Sequence, residues 1–271
     1  MSARGDLAVV IPARNEFDRI SATVKAAASI PGVDLVVVVD DGSNDGTGAQ
    51  AEHAGAIVAR HTRSRGKAAA METGAEAVRV IEAQRHEADR ADGADRTRPD
   101  GRPASPPLHL LFLDADLAET ARDAAPLAEP VRTGQADMTI AVFASKDKRG
   151  GHGFVLGLAG AGIERATGWR PAEPLNGQRC LTRAAFEAAK PLADGWGAET
   201  GLTIDLLRQG LRITEVQVPL SHRATGKDWG SQLHRAQQFA GVAKALAARK
   251  ALVGLAQHQP EQAGPGQANT A

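Results

Sequence analysis

The sequence predicts an α/β protein with a doubly wound, mostly parallel central sheet. Two runs rich in β-branched residues lie at 7–11, which is continuously apolar, and at 33–39, which is apolar except for Asp34; such runs are typical of strands that are buried on both faces. Segments with helical spacing follow at 18–29 and 47–54, and a short third strand follows at 56–60. This βαβαβ order indicates a Rossmann-like half that binds a nucleotide.

The chain continues in the same α/β manner. A helix is predicted at 67–83, a buried strand at 108–113, a proline-interrupted helix at 121–132 and a strand at 138–143. Residues 86–107 are rich in Arg, Asp, Gly and Pro and contain few apolar groups. Because so few apolar groups cannot repay the entropy of ordering, we expect a disordered surface insertion there.

The last part of the chain contains a glycine-dense stretch and further helices. The stretch at 150–168 predicts either a mobile lid or close helix packing. Helices are expected at 184–189 and 199–209, and a half-exposed strand at 211–218. An amphipathic helix at 231–256 is of the kind that packs on a core, forms a homodimer or lies on the inner face of a membrane.

The composition excludes several classes of protein. The 271 residues contain 32 Lys and Arg and 32 Asp and Glu, so the net charge gives no reason to expect a nucleic-acid partner. A single cysteine excludes a disulfide framework and a cysteine-rich zinc site, and fits the reducing cytoplasm. We find neither a secretory signal nor an apolar run long enough to span a membrane, so we expect a cytoplasmic protein.

Several common motifs fail on their spacing. A P-loop around Lys67 would need a glycine where His61 stands, and Ser or Thr where Ala68 stands. The dinucleotide pattern that begins in the glycine-dense stretch fails because Leu156 takes the place of the third glycine. Cys180 has no obvious histidine partner along the chain, so we interpret it as a small buried apolar residue.

Two carboxylates end the strand predicted at 108–113. Asp114 and Asp116 are separated by one residue, so in an extended chain they share a face. Their mutual repulsion is costly unless a divalent cation lies between them. A helix-capping role explains one of the two residues and leaves the other unexplained. Oxygen ligands without cysteine favour Mg²⁺ or Mn²⁺, which usually bind together with substrate phosphates.

Two more polar segments, at 12–16 and 40–46, follow the first and second predicted strands. The carboxyl ends of parallel strands meet at one edge of the sheet, where ligands bind. We therefore expect both segments to line one crevice together with Asp114. Taken alone, the Asp-Gly-Ser-Asn-Asp-Gly segment is also good turn and helix-cap chemistry.

The chain resembles family 2 glycosyltransferases of the GT-A fold in seven segments, found in the family's order. They are VVIPARNE, VVVVDDGSNDGT, RGKAAAMETG, LFLDADL, PLNGQRCLTR, GWGAETGLTIDLL and EVQVPLSHR. The last four also resemble the glucosyl-3-phosphoglycerate synthases, which share the fold. The resemblance implies one GT-A domain at 1–258, with a nucleotide-sugar-binding half at 6–143, an acceptor-binding half at 144–258 and a disordered tail at 259–271.

By this resemblance, the nucleotide sugar, with UDP as the expected nucleotide, is held by residues from four segments. Lys67, at a helix start, would approach the diphosphate, although an exposed lysine is the usual case. Pro12, Ala13 and Glu16 would contact the nucleoside. Asp40 and Ser43 would contact the base or ribose. The sugar pocket would be lined by Leu175, Asn176, Gly177 and Gln178.

The resemblance also implies the metal ligands and the catalytic residues. Asp116 would be the main ligand of Mg²⁺ or Mn²⁺, with Asp114 in the metal shell or on the ribose, and His222 as a C-terminal ligand. Glu199 would reach sugar hydroxyls or the acceptor, and would serve as the base if the reaction inverts the anomeric carbon. As alternatives, Glu199 only caps its helix and His222 only follows a strand.

The implied activity is metal-dependent transfer of a sugar from a nucleoside diphosphate to a hydroxyl or phosphate acceptor. The acceptor would be a small phosphorylated molecule or a lipid-linked one. A retaining enzyme of the synthase type is the alternative. A non-catalytic protein that binds sugar nucleotides would keep the same fold and is a further alternative. Nucleotidyl transfer is disfavoured because residues 12–16 contain no glycine.

Overall fold

The computed structural model describes residues 5–91, 106–143, 153–219 and 229–251. The strands in these ranges are β1 (Leu7–Ala13), β2 (Val33–Asp40), β3 (Ile57–Arg60), β4 (His109–Phe112), β5 (Met138–Phe143), β6 (Arg179–Leu181) and β7 (Ile213–Val218). The helices are α1 (Phe17–Ala28), α2 (Thr47–His53), α3 (Lys67–Ala91), α4 (Glu129–Arg132), α5 (Gly153–Thr167), α6 (Arg183–Ala188), α7 (Ala198–Arg208) and α8 (Trp229–Ala248).

The strands form one seven-stranded sheet in the order β3-β2-β1-β4-β6-β5-β7. β6 runs antiparallel to both of its neighbours, and the other pairs are parallel. The prediction of a doubly wound, mostly parallel sheet is therefore confirmed.

Both faces of the sheet are covered, which explains the continuous apolar runs. Alternate side chains of a strand point to opposite faces. Val9 of β1 packs in a cluster with residues of α1, whereas Val10 packs in a second cluster with residues of α3 and α7. A strand with helices on both sides needs apolar residues at every position. The sequence pattern in β1 and β2 thus follows from their central place.

β6 was not predicted, and it carries one end of the candidate site. It has only three residues, Arg-Cys-Leu, and its central residue is buried as expected for an apolar position. Burial raises the pKa of the Cys180 thiol to about 12, so this side chain stays protonated. A strand that is so short and begins with a charged residue gives no period that the sequence could reveal.

The predicted end of α3 and the predicted start of the insertion are wrong. The helix continues through residue 91, so residues 86–91 are helical, and residues 92–105 lie outside the described ranges. Contacts on the last turns explain the extension. Glu82 accepts from the backbone N–H of Leu108 at 2.6 Å and pairs with Arg183 at 3.0 Å, while Arg85 pairs with Asp34.

The structure also differs from the single helix predicted at 121–132. A 3₁₀ helix spans Ala118–Leu127, and the short α4 follows it. Pro126 lies inside the first of these and Pro130 near the start of the second. Proline lacks a backbone N–H, so a continuous α-helix through both residues would lose hydrogen bonds.

The glycine-dense stretch forms α5 from residue 153, and its contacts favour close packing over a lid. A Cβ built on Gly162 would lie 2.3 Å from Leu246 Cδ2 on α8. Residues 150–152 lie outside the described ranges. The helix predicted at 231–256 is α8, which ends at Ala248, before Lys250 with a φ of 53°. Within the described part of the chain, no helix is both long and apolar enough to cross a bilayer.

Candidate functional site

The segments after β1 and β2 lie together at the carboxyl edge of the sheet, as predicted. The two strands pair in register up to Ala13 and Asp40. Beyond the strands, the backbone N–H of Asn15 donates to Ser43 Oγ at 3.0 Å, and that of Glu16 donates to Thr47 Oγ1 at 2.8 Å. These contacts join the two polar segments into one rim of the site.

Asp40 and Ser43 are buried within this rim. Asp40 Oδ1 accepts from the backbone N–H of Ser43 at 2.8 Å, and its Oδ2 lies 3.4 Å from Arg60 Nε. Arg60 also donates to the backbone carbonyl of Ser43 at 3.1 Å. Pro12 is half-buried and Ala13 is buried on the adjacent strand. In this structure, the carboxylate of Asp40 shapes the loop.

Asp41 is a site residue that the sequence did not single out. Its carboxylate accepts hydrogen bonds from His61 Nδ1 and Ser64 Oγ, at 2.6 and 2.7 Å. It also accepts from the backbone N–H groups of Arg65 and Gly66, at 2.8 and 2.9 Å. Asp41 thereby fixes the loop that leads into α3. Burial alone would raise the pKa of Asp41, but these hydrogen bonds outweigh it and lower the pKa to about 2.

The first residue of α3, Lys67, contacts two carboxylates from different parts of the chain. Its Nζ lies 2.7 Å from Asp114 Oδ1, after β4, and 3.0 Å from Glu199 Oε1, in the first turn of α7. Burial would lower the pKa of Lys67, but the charges of Asp114 and Glu199 and their hydrogen bonds raise it above its usual value. The ammonium group therefore stays charged, and it joins the segment after β4 to the start of α7.

The segment before β6 closes over this ion pair. Gln178 Nε2 donates to Asp114 Oδ2 at 2.7 Å, so each oxygen of Asp114 accepts a hydrogen bond. A Cβ built on Gly177 would lie 2.3 Å from Lys67 Nζ, so glycine permits the close approach. Asn176 is buried and donates to a backbone carbonyl of β5, and the half-buried Leu175 precedes it. The structure thus brings Gly177 and Gln178 to Lys67 and Asp114.

Acidic side chains also come together on the rim of β1 and β4. Burial and the negative charge of Asp116 raise the pKa of Glu16, and Asp45 and Asp114 act in the same direction. Mutual repulsion of this kind is relieved by a bound cation. The donor set is carboxylate oxygen, which fits Mg²⁺ or Mn²⁺. Within the described ranges, however, no three His, Cys, Asp or Glu side chains are arranged to hold a metal ion by themselves.

The predicted third metal ligand, His222, lies outside the described residues. The cluster of Asp114 and Asp116 therefore has no third protein ligand within the part of the chain that the structure describes. A diphosphate would supply further oxygen ligands, since Mg²⁺ usually binds substrate phosphates together with one or two carboxylates.

Comparisons with known proteins show which proteins this chain resembles. A profile described as glycosyl transferase family 2 matches residues 8–80. Glycosyltransferase AglJ of Haloferax volcanii is 28% identical over 225 residues, which are 81% of this chain and 64% of that protein. The chain therefore spans less than two thirds of that relative's length. An uncharacterized protein of Methanocaldococcus jannaschii is 25% identical over 225 residues, 79% of this chain and 81% of that one.

Solved structures share the fold over nearly the whole chain. Glucosyl-3-phosphoglycerate synthase from Mycobacterium tuberculosis, in complex with Mg²⁺ and UDP, has a TM-score of 0.66 and 23% identity, covering 94% of this chain and 82% of that one. The same enzyme with Mn²⁺, UDP-glucose and phosphoglyceric acid has a TM-score of 0.62 and 25% identity, covering 91% and 81%. The chain therefore has the fold of these structures, and its residues 8–80 match the glycosyl transferase family 2 model.

Replacing Asp41 with Asn tests the loop anchor. A carboxylate whose pKa is lowered from 3.8 to about 2 stabilises the fold above pH 3.8, and the contribution is lost as the pH falls through about 2. We expect Asp41→Asn to lower the free energy of unfolding by about 2 kcal/mol at pH 7. Urea denaturation of both proteins at a series of pH values measures the difference, which should narrow between about pH 4 and pH 2.

Asp194→Asn is the control for this series, since the Asp194 side chain is 84% exposed. Its free energy of unfolding should match that of the unsubstituted protein at every pH. If the loss of unfolding free energy in Asp41→Asn does not change with pH, the charge of the carboxylate does not anchor the loop.

Proposed function

We propose that the chain transfers a sugar from a nucleoside diphosphate sugar, with UDP as the expected nucleotide, to a hydroxyl or phosphate acceptor. The observation that carries this proposal is the contact of Lys67 with both Asp114 and Glu199, beside the acidic rim of Glu16 and Asp116. A cation next to acidic groups at the carboxyl edge of an α/β sheet suits a diphosphate that binds with a metal ion.

Lys67 would hold the diphosphate. An ammonium group has three N–H donors, and the two carboxylates accept from two of them. The third is available for a phosphate oxygen, and the start of α3 also favours an anion. Gly66, with a φ of 88°, precedes this helix and is held by Asp41. The loop therefore fixes Lys67 before any donor arrives, which lowers the entropic cost of binding.

Asp116 would be the main ligand of Mg²⁺ or Mn²⁺, and Asp114 would lie in the metal shell or on the ribose. The repulsion between Asp116 and Glu16 and the oxygen donor set fit such an ion. When bound, the ion neutralises charge that develops on the departing nucleoside diphosphate. The synthase from Mycobacterium tuberculosis has been solved with Mg²⁺ or Mn²⁺ together with UDP, which supports this assignment.

The other predicted site residues would belong to the same donor site. Pro12, Ala13 and Glu16 would contact the nucleoside, and Asp40 and Ser43 would shape the loop that receives the base or ribose. Leu175, Asn176 and Gly177 would line the sugar pocket. A cytoplasmic location, a homodimer and the division into halves at 6–143 and 144–258 stay predictions. The phosphorylated acceptors named with the synthase structures support a phosphorylated acceptor here.

Replacing Asp116 with Asn tests the metal role. The isosteric amide removes the charge, so we expect turnover to fall about 100-fold to 1,000-fold, which corresponds to about 3 to 4 kcal/mol of barrier. The measurement is release of UDP from UDP-glucose with Mn²⁺, with phosphoglyceric acid and glycerol 3-phosphate as trial acceptors. The melting temperature of each protein is measured alongside.

The exposed Asp194→Asn variant is the control and should keep full turnover. Equal turnover by Asp116→Asn would refute the metal role. If the unsubstituted protein binds UDP with Mn²⁺ but never consumes the donor, the non-catalytic alternative is correct instead.

The ion pair of Glu199 favours the retaining alternative. Glu199 Oε1 already accepts from Lys67 Nζ at 3.0 Å, so the carboxylate is held in place by an ion pair. Glu199 is also 4% exposed. Both features suit a residue that positions sugar hydroxyls rather than one that removes the acceptor proton. In either case, the bond from the anomeric carbon to the diphosphate breaks, and a bond to the acceptor oxygen forms.

Proton NMR of the product formed from UDP-glucose tests this alternative. UDP-glucose carries an α-linked glucose, so a retaining reaction gives an α-linked product with a small anomeric coupling. We expect that product. A β-linked product would show that the reaction inverts and that a base is required near the acceptor.

A further inference from the structure

Arg179, the first residue of β6, is a cation in the core of the protein. Its side chain is 0% exposed and is the largest among the fully buried ones in the described ranges. Burial lowers its pKa to about 10, against the opposing charges of Glu199 and Glu215. The guanidinium group therefore keeps its charge at neutral pH, in a place where most proteins have an apolar residue.

The hydrogen bonds of Arg179 join two segments of the candidate site. On one side, Nε donates to the carbonyl of Asn176 at 2.7 Å, and Nη2 donates to that of Pro174 at 3.1 Å. On the other side, Nη1 donates to the carbonyl of Glu199 at 3.1 Å and to Thr203 Oγ1 at 2.8 Å. All of these acceptors are neutral oxygens.

The two segments are those that contact Lys67. The first contains Gly177, where a built Cβ would lie 2.3 Å from Lys67 Nζ, and the second contains Glu199, whose carboxylate is 3.0 Å from the same nitrogen. Lys67 thus lies between the segments on the side of the donor site, and Arg179 spans them from inside the core. A single planar group therefore donates hydrogen bonds to both segments.

A buried cation is weak evidence that the fold gains stability from its charge. Replacing a buried charge by an apolar side chain of similar volume is often neutral or stabilising, because desolvation of the charge is costly. A planar guanidinium has one property that an apolar side chain lacks, since its five N–H donors have a fixed geometry. That property is useful where two loops must be held at a set distance.

We propose that Arg179 is a positioning residue for sugar transfer, which sets the distance between the Pro174–Gly177 segment and Glu199 around Lys67. The inference rests on the proposed function, because it assumes that the two segments face the donor sugar. It assigns to Arg179 no contact with substrate. Its effect passes through the backbone carbonyls of Asn176 and Glu199.

Kinetics of Arg179→Lys and Arg179→Met test the proposal, with release of UDP from UDP-glucose and Mn²⁺ as the assay. Lysine keeps the charge but presents a single nitrogen that cannot span both segments. We expect kcat to fall about 30-fold to 100-fold in both variants, since misplacement by about 1 Å can cost that much. The Kd for UDP with Mn²⁺, measured by calorimetry, should stay within about threefold, because Asp41, Lys67 and Asp116 are unchanged.

Thr203→Val is a milder variant for the case in which Arg179→Met does not fold. Valine keeps the shape and removes one acceptor of Arg179, so kcat should fall about threefold to tenfold with little change in melting temperature. Arg183→Met is the matched control. Arg183 follows β6 and is 11% exposed, but it pairs with Glu82 away from Lys67. This control should lose stability and keep kcat.

The outcomes separate this inference from the proposed function. Near-normal kcat in folded Arg179→Met would overturn the positioning role. Near-normal kcat in Arg179→Lys would also overturn it, because the positive charge alone would then suffice. An unsubstituted protein that neither binds UDP nor consumes UDP-glucose would instead contradict the proposed function.

Discussion

The contact of Lys67 with two carboxylates is the interaction on which the site depends. The first carboxylate, Asp114, follows β4 in the part of the sheet that we propose as the nucleotide site. The second, Glu199, begins α7 on the other side of β6. One ammonium group therefore joins the two parts at the point where a donor sugar would leave its diphosphate. Its charge is retained because the two carboxylates outweigh the effect of burial.

Three separate devices hold that contact in place. Asp41 fixes the loop before Lys67 through hydrogen bonds to backbone and side-chain donors. Gly177 has no side chain to block the approach of Nζ. Arg179 spans the two segments that flank the ammonium group. Asp41 and Arg179 need not contact a substrate. Together with Gly177 they keep the site preorganised, and much of the catalytic power of enzymes arises from preorganisation.

The sequence predicted the parts of the fold that are governed by regular patterns. Residues 7–11 of β1 and 35–39 of β2 are continuously apolar because helices cover both faces, and a pattern of that kind is visible without a structure. The polar ends of β1, β2 and β4 could be placed at one edge by the rule for parallel strands. The GT-A resemblance supplied the roles of Lys67 and Asp116, which spacing alone does not distinguish from ordinary surface residues.

The features that the sequence did not reveal depend on contacts between distant residues. β6 is three residues long, and its first residue is an arginine, so no period marks it. The burial of Arg179 depends on carbonyl groups of Pro174 and Glu199, and nothing local to the arginine predicts them. The last turns of α3 persist through ion pairs of Glu82 and Arg85, whereas composition alone indicated a disordered insertion.

A crystal structure of the protein with UDP-glucose and Mn²⁺ tests the central claim most directly. We expect an oxygen of the diphosphate within hydrogen-bonding distance of Lys67 Nζ, and Mn²⁺ between that diphosphate and Asp116. The glucose should lie between Gly177 and Glu199. A diphosphate bound away from Lys67, with its contacts to Asp114 and Glu199 unchanged, would contradict the account.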